Sequence, residues 1–401
     1  MVKIPAKLRR PKAARAIAIA LHRWVGLAIS AFLIVAGLTG TVLAFYTDLD
    51  AALNPELFRV APPAPGARML DPIELRERVR AQLPKGTTID GVVLEREPGR
   101  SVNYWIDERE TFVDPYTGAI LGRREFGELR EGKKGLLTFI YRLHYSLALD
   151  DVGLWLFGAA ALLWTGDSFV GAYLTFPSGQ RRANTPRRAW LRRWAPSWLL
   201  KTNTLFTTLF TFHRASGLWL WALLIVFGWS AVALNLHDQV YEPVMERVLG
   251  PHAGELPKLP APRPAPKLDT RAALARGRAL IAAEAERRGF RVLDERWLGY
   301  EPEHGAYNYA VESTLDVGPR IADTNVAFDG DDGRVLAFHA PTGDNARDTF
   351  DSWLIALHFG SVREGGVAYR AFVSLFGTLV AGLSASGVWI WWRKRNKRGR
   401  A

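Results

Sequence analysis

The chain contains no cysteine. That absence excludes disulfides, thiolate-bound zinc, iron–sulfur clusters, a redox-active thiol pair and haem attached through a C-x-x-C-H motif. Any redox chemistry therefore needs a cofactor held without cysteine sulfur. Acidic residues are missing from three short stretches. Residues 1–16 hold six Lys/Arg, 177–204 hold seven and 393–401 hold six, with no Asp or Glu among them. Those 19 charges, taken from a net +12, leave the rest of the chain at −7. Nucleic-acid binding would need a basic face on a soluble fold, and no such face is visible. Basic charge confined beside apolar runs is instead the positive-inside signature of a membrane protein.

Mean hydropathy is near zero only because apolar and charged stretches cancel. Four runs reach the roughly 20 residues that a bilayer-spanning helix requires. They cover about Ile17–Thr47, Val152–Phe176, Leu205–Leu236 and Ala371–Trp392, interrupted in the last three only by Asp167 and the pair His213–Arg214. Tyr46, Trp155, Tyr173, Trp389, Trp391 and Trp392 lie near the span ends, where interfacial aromatics belong. The first run is far longer than a signal-peptide core, so it reads as a retained anchor. With the N-terminus inside, four crossings return both termini to the cytoplasm and put all three basic segments on one side.

The expected organisation follows from these runs. A cytoplasmic N-terminus (1–16) leads into transmembrane helix 1 (17–47) and a first outer domain (48–134). An interfacial helix with transmembrane helix 2 (135–176), a basic cytoplasmic loop (177–204) and transmembrane helix 3 (205–236) come next. A second outer domain (237–350), an interfacial helix with transmembrane helix 4 (351–392) and a basic cytoplasmic tail (393–401) complete it. Both outer regions read as small α+β domains. The first has strand-like pieces at Thr88–Glu95, Val102–Ile106 and Phe112–Leu121. The second has a Pro-rich linker at Pro257–Pro266, a helix at Thr270–Arg288 and strands near Arg291–Leu298, Tyr307–Glu312 and Asn325–Phe338.

The two halves repeat one another. His22-Arg23-x-x-Gly26-Leu27 recurs as His213-Arg214-x-x-Gly217-Leu218. Asp114-Pro-Tyr-Thr-Gly-Ala-Ile-Leu121 is matched by Asp329-Gly-Asp-Asp-Gly-Arg-Val-Leu336, and Tyr141-Arg-Leu-His144 by Ile355-Ala-Leu-His358. Four of the eight histidines thus occupy duplicated positions. His22 and His213 lie inside spans near their cytoplasmic ends, while His144 and His358 precede spans 2 and 4 at the outer surface.

Histidine inside a membrane helix faces the bundle interior or a functional pathway. A planar macrocycle between two imidazoles needs one His per helix at matching depth, and this pattern supplies two such pairs. None of the four sits in the H-x-x-x-H or H-x-x-E spacing that metal ions such as zinc recruit. The inference is two haems of b type, each with bis-histidine iron. Helix rise supports two rather than one, because His22 to Tyr46 spans about 36 Å. The bland alternative makes these histidines interfacial residues or links between helices. Arg23 and Arg214 have two open readings, as partners of haem propionates or as positive-inside charges. Asp167 is open between a hydrogen bond to a haem ligand, proton uptake and a helix-end contact. His237 is a spare ligand candidate, and His252, His304 and His339 read as solvated.

Four spans, paired His-Arg-x-x-Gly-Leu starts and an Asp-x-x-Thr-Gly turn in an outer domain resemble the PepSY-associated transmembrane helix family. Within it, the chain is most similar to FoxB-like ferric siderophore reductases of Gram-negative inner membranes. The resemblance implies a haem-dependent oxidoreductase that reduces ferric siderophores in the periplasm, with PepSY-like outer domains. His22, His144, His213 and His358 fit the family's histidine pattern. Asp332 stands where the first domain has Thr117, so the second turn is expected to be degenerate. No G-x-G-x-x-G is present, so the electron donor, quinol or a cytoplasmic flavin reductase, is expected to be separate. Two rivals belong to other classes: a membrane-anchored binding or regulatory protein without redox activity, and a siderophore transporter subunit, for which broken helices would be expected.

Overall fold

The computed structural model describes residues 10–177, 187–253, 256–319 and 324–398. Expectations placed on 1–9, 178–186 and 399–401, parts of the three basic segments, lie outside the described residues. In chain order come α1 (Arg10–Leu43), α2 (Tyr46–Leu53), α3 (Pro55–Phe58) and α4 (Pro72–Ala81). Four strands follow: β1 (Val92–Val93), β2 (Val102–Ile106), β3 (Arg109–Val113) and β4 (Ile120–Glu125). The next helices are α5 (Leu136–Ser146), α6 (Asp150–Thr175), α7 (Arg187–Trp194), α8 (Leu205–Trp219), α9 (Trp221–Asn235), α10 (Glu242–Leu249) and α11 (Thr270–Arg288). Strands β5 (Val292–Glu301), β6 (Ala306–Ser313), β7 (Thr324–Asp329) and β8 (Val335–His339) precede α12 (Ala346–Phe359) and α13 (Gly366–Arg398).

The chain divides into two compact units, one of residues 1–42, 143–242 and 371–401, the other of 43–142 and 243–370. The first is helical. Within α1, α6 and α13 the segments Ala13–Leu43, Asp150–Thr175 and Gly366–Asn396 are long and apolar enough to cross a bilayer. Only 22–28 % of residues in their most apolar windows are buried, so most of this apolar surface faces outward, as a lipid solvent requires. The protein is a largely helical, multi-pass membrane protein.

The third expected span departs from the single helix. It is the pair α8 and α9, bent by 71°. Leu220 leaves the helical region at φ −95°, ψ 0°. At the bend Leu220 N–H donates to Ser216 O at 2.9 Å, and Leu220 O accepts from Leu224 N–H at 2.8 Å. Beside it the Trp221 indole N–H donates to Ser168 O of α6 at 3.1 Å, fixing the new direction.

Small residues set the helix contacts, as they do where apolar side chains gain nothing by leaving lipid. A Cβ on Gly37 would stand 2.5 Å from Gly377 O, so α1 and α13 touch backbone to backbone. Thr41 Oγ1 donates across that crossing to Ser374 O at 3.0 Å. A Cβ on Gly228 would stand 2.7 Å from Thr165 Oγ1, closing α9 on α6. The sequence step from Gly37 to Gly228 equals that from His22 to His213, so the duplication extends to packing. Between α5 and α6 the chain reverses through Leu147, Ala148 and Asp150, all at positive φ. Gly153 permits this, since a Cβ there would lie 1.6 Å from Ser146 O. Asn235 holds the turn by donating to Tyr145 O at 2.8 Å.

The second unit corrects the expectation of two separate α+β domains. One antiparallel sheet runs β1-β5-β6-β7-β8, and β1 comes from the first outer region: Val92 pairs with Leu298 and Val93 with Trp297. The remaining sheet is β2-β3-β4. α11 covers the larger sheet through Ala273, Leu274 and Ile281 against Tyr309, Val311, Val326 and Phe328, while α4 packs Leu75 and Val79 on Val102, Tyr104 and Ile106.

The turn expected to be degenerate is not. Asp114 and Asp329 each lead a loop closed by the same bonds, Gly118 N–H to Asp114 O at 2.9 Å and Gly333 N–H to Asp329 O at 3.0 Å. Both glycines have positive φ, and the aspartate side chains accept from Tyr116 N–H and Asp331 N–H. The backbone grammar needs only the Asp and the Gly, so Asp332 replaces Thr117 without changing it. A buried Arg124 ties the smaller sheet to its surroundings. Its guanidinium bonds Asp50 at 2.6 and 3.0 Å, Glu110 at 2.7 Å and Lys134 O at 2.8 Å.

Candidate cofactor site

His22 on α1 and His213 on α8 come together in the first unit, their ring centroids 6.0 Å apart. Each imidazole is gripped at Nδ1. His22 Nδ1 faces Asp167 Oδ2 of α6 at 2.9 Å. His213 Nδ1 lies 3.0 Å from Leu383 O of α13, with Ser386 Oγ at 3.2 Å. A ring that donates from Nδ1 keeps its lone pair on Nε2, the form in which imidazole binds metals. A metal–imidazole nitrogen bond is about 2.0–2.1 Å and the ring centre lies about 1.2 Å behind it, so two imidazoles on opposite faces of one ion stand about 6.4–6.6 Å apart. The observed 6.0 Å is a few tenths of an ångström short of that spacing, so the rings would part slightly to admit the ion.

The helix period explains the rest of the duplicated motif. Gly26 and Gly217 follow their histidines by one turn, on the same face. A Cβ on Gly217 would meet nothing within 4 Å, and one on Gly26 only Asp167 Oδ2 at 3.9 Å. A glycine in a helix interior costs about 1 kcal/mol relative to alanine, so its use at both places beside open space keeps that space clear. On the far side, Gly171 and Gly387 let the rings close in: their Cβ atoms would stand 3.3 Å from His22 Cε1 and 3.1 Å from His213 Cε1. The result is two oriented imidazoles flanked by clear faces, an arrangement that can hold a planar metal complex.

The arginines that follow the histidines turn away by about 100°. Arg23 is exposed. Arg214 donates to Pro196 O at 2.7 Å and lies over the Phe210 ring, while its Nε is buried with no hydrogen-bond partner.

His144, near the end of α5, follows the same rules in the first unit. Its Nδ1 lies 2.9 Å from Thr39 Oγ1, and a Cβ on Gly40 would come 3.1 Å from its Cε1. Thr39 donates its own hydroxyl to Val35 O at 2.6 Å and therefore accepts from the imidazole. His358 belongs to the second unit, on α12, beside Phe359.

Other candidates are engaged locally. Arg142 bonds Glu128 at 2.7 Å, and Arg363 bonds Glu312 and Ser313 O. His237 is exposed beside Asp238 and Glu242. Three loop histidines depart from the solvated reading. His252 is paired with Asp348 at 2.6 Å and Asp351 at 3.3 Å. The His304 ring N–H meets Pro257 O at 3.2 Å, and burial pushes the His339 imidazole below its ordinary value. Among the described residues no cluster of three or more His, Asp or Glu could hold a bare metal ion.

Sequence reading missed Thr39, Gly40, Gly171, Ser386 and Gly387. Gly171 and Gly387 each lie one turn beyond the residue whose oxygen faces the ring, Asp167 and Leu383, a repeat that shows only once the contacts are known. Comparison with curated proteins gives no significant match. The family model for the PepSY-associated TM region matches residues 19–394, and the chain belongs to that family.

Proposed function

We propose that this protein is a two-haem membrane reductase. It would carry electrons from the quinol pool or a cytoplasmic flavin reductase to a ferric siderophore in the periplasm, releasing Fe(II). The observation that carries the reading is the His22–His213 pair, with rings 6.0 Å apart, both Nδ1 atoms held and a bare glycine one turn beyond each. Haem b bound there supplies reversible one-electron transfer. The chain's own part is to present both Nε2 atoms, fix the ring planes and keep the flanking faces clear. His144 and His358 are the ligands proposed for the second haem. Arg23 and Arg214 are proposed to lie at the propionate edge of the first, where guanidinium groups neutralise carboxylates.

The positive-inside segments support an inner-membrane protein with cytoplasmic termini and the second unit in the periplasm. There Fe(III) would be the substrate. Reduction weakens its hold on hard oxygen ligands and frees the iron.

The bend at Leu220 is the one feature that a transporter reading would claim. Leu220 itself keeps both backbone groups paired, its N–H to Ser216 O and its carbonyl to Leu224 N–H. A membrane-anchored binding protein remains the other alternative, and it requires no pigment. The test is to mix dithionite-reduced, detergent-purified protein with a ferric tris-hydroxamate and trap Fe(II) with ferrozine. Fe(II) forming in step with reoxidation of the absorption bands supports the reading. A rate no higher than that of a heat-denatured control overturns it.

A further inference from the structure

The duplication holds at the inner rings and fails at their partners. Asp167 and Leu383 occupy equivalent places in α6 and α13, each four residues before the glycine that abuts its histidine. His213 therefore meets a neutral carbonyl, with a serine hydroxyl beside it, where His22 meets a carboxyl group. His144 meets a neutral hydroxyl.

Asp167 is also unusual in its setting. Its side chain is only 10 % exposed, and Oδ1 is buried with no hydrogen-bond partner. A buried carboxyl group that spends one oxygen on an imidazole and leaves the other unmatched is expensive as a structural device. A carboxylate accepting from Nδ1–H makes the imidazole a stronger electron donor to a metal, which favours the oxidised metal.

We propose, resting on the haem reading above, that Asp167 is a positioning residue that lowers the reduction potential at the His22–His213 site. It holds the His22 ring through Nδ1 and makes it the more electron-rich of the two ligands.

The experiment is a spectroelectrochemical titration of the full-length protein in detergent, with haem counted as the pyridine haemochrome. Wild type is compared with Asp167→Asn and with Asp167→Leu, the latter copying position 383. The expected result is unchanged haem content and one midpoint raised by at least tenfold in the reduction equilibrium, about 59 mV for one electron, with the other midpoint fixed. Unchanged midpoints at full haem content would overturn the proposal. A second measurement locates the effect. The haem that disappears in His22→Ala should be the one whose midpoint moves in the Asp167 variants, and loss of the haem whose midpoint stays fixed overturns the proposal. A wild type that binds no haem at all fails the reductase reading instead, and the haemochrome count distinguishes that failure from this one.

Discussion

Replacing Gly217 by alanine tests the open face beside His213 with the smallest possible probe. A Cβ there meets nothing within 4 Å, so the substitution adds no clash. The helix interior favours alanine over glycine by about 1 kcal/mol, and that gain should appear undiminished in haem-free protein. Gly37→Ala is the control. It lies in a comparable span, but its Cβ would stand 2.5 Å from Gly377 O and 3.0 Å from Ala381 N, both backbone atoms that cannot rotate aside. Overpacking of this kind costs about 1–3 kcal/mol, which offsets or exceeds the same helix gain. The assay is unfolding of detergent-purified protein from cells starved of haem precursor. The expected order of stability is Gly217→Ala above wild type, and Gly37→Ala at or below it. Gly217→Leu should leave the haem-free fold intact while excluding one haem. If Gly217→Ala destabilises the haem-free protein by 1 kcal/mol or more, the open face does not exist and the fit argument collapses.

Three further outcomes follow from the second unit and its junctions. Arg124→Met leaves Asp50 and Glu110 buried without their cation, a loss of about 3–5 kcal/mol that thermal unfolding should register. Adding Asp50→Asn and Glu110→Gln should recover most of it, whereas a loss below 1 kcal/mol for the single variant contradicts the buried-pair account. His339 is held below its ordinary value of 6.5 by burial, so its contribution to stability is complete above about pH 6.5 and declines as pH falls through the window beneath. Hydrogen exchange in β7 and β8, corrected for intrinsic rates, should speed up between pH 7 and 5 in wild type but not in His339→Gln. Gly153→Ala should unseat the α5–α6 reversal, read as faster proteolysis near Leu147, and normal resistance would show that the turn tolerates a Cβ.

Much of this was legible in the sequence, for identifiable reasons. Long apolar runs define three of the expected spans as single helices, and α11 was readable from end to end because Asp269 caps it and Gly289 stops it. The paired His-Arg-x-x-Gly-Leu segments located the rings that meet in the first unit. Asp167 was conspicuous as an acid inside an apolar run, although its partner was not legible, since the contact joins residues 145 positions apart. The bend at Leu220 was hidden because both sides are apolar and no proline marks it. Likewise β1 is two residues long, and its pairing with β5 crosses more than 200 positions, beyond the reach of any local pattern. The role of Gly26 and Gly217 needed coordinates, because a glycine that preserves space and one that permits contact look alike in a sequence.

The central claim is that His22 and His213 ligate one haem. The most direct measurement is a pyridine haemochrome assay with a reduced-minus-oxidised spectrum on purified wild type, His22→Ala and His213→Ala. The account predicts two b-type haems per chain in wild type and loss of the same one in both variants. A colourless wild type, after expression with ample haem, would contradict it.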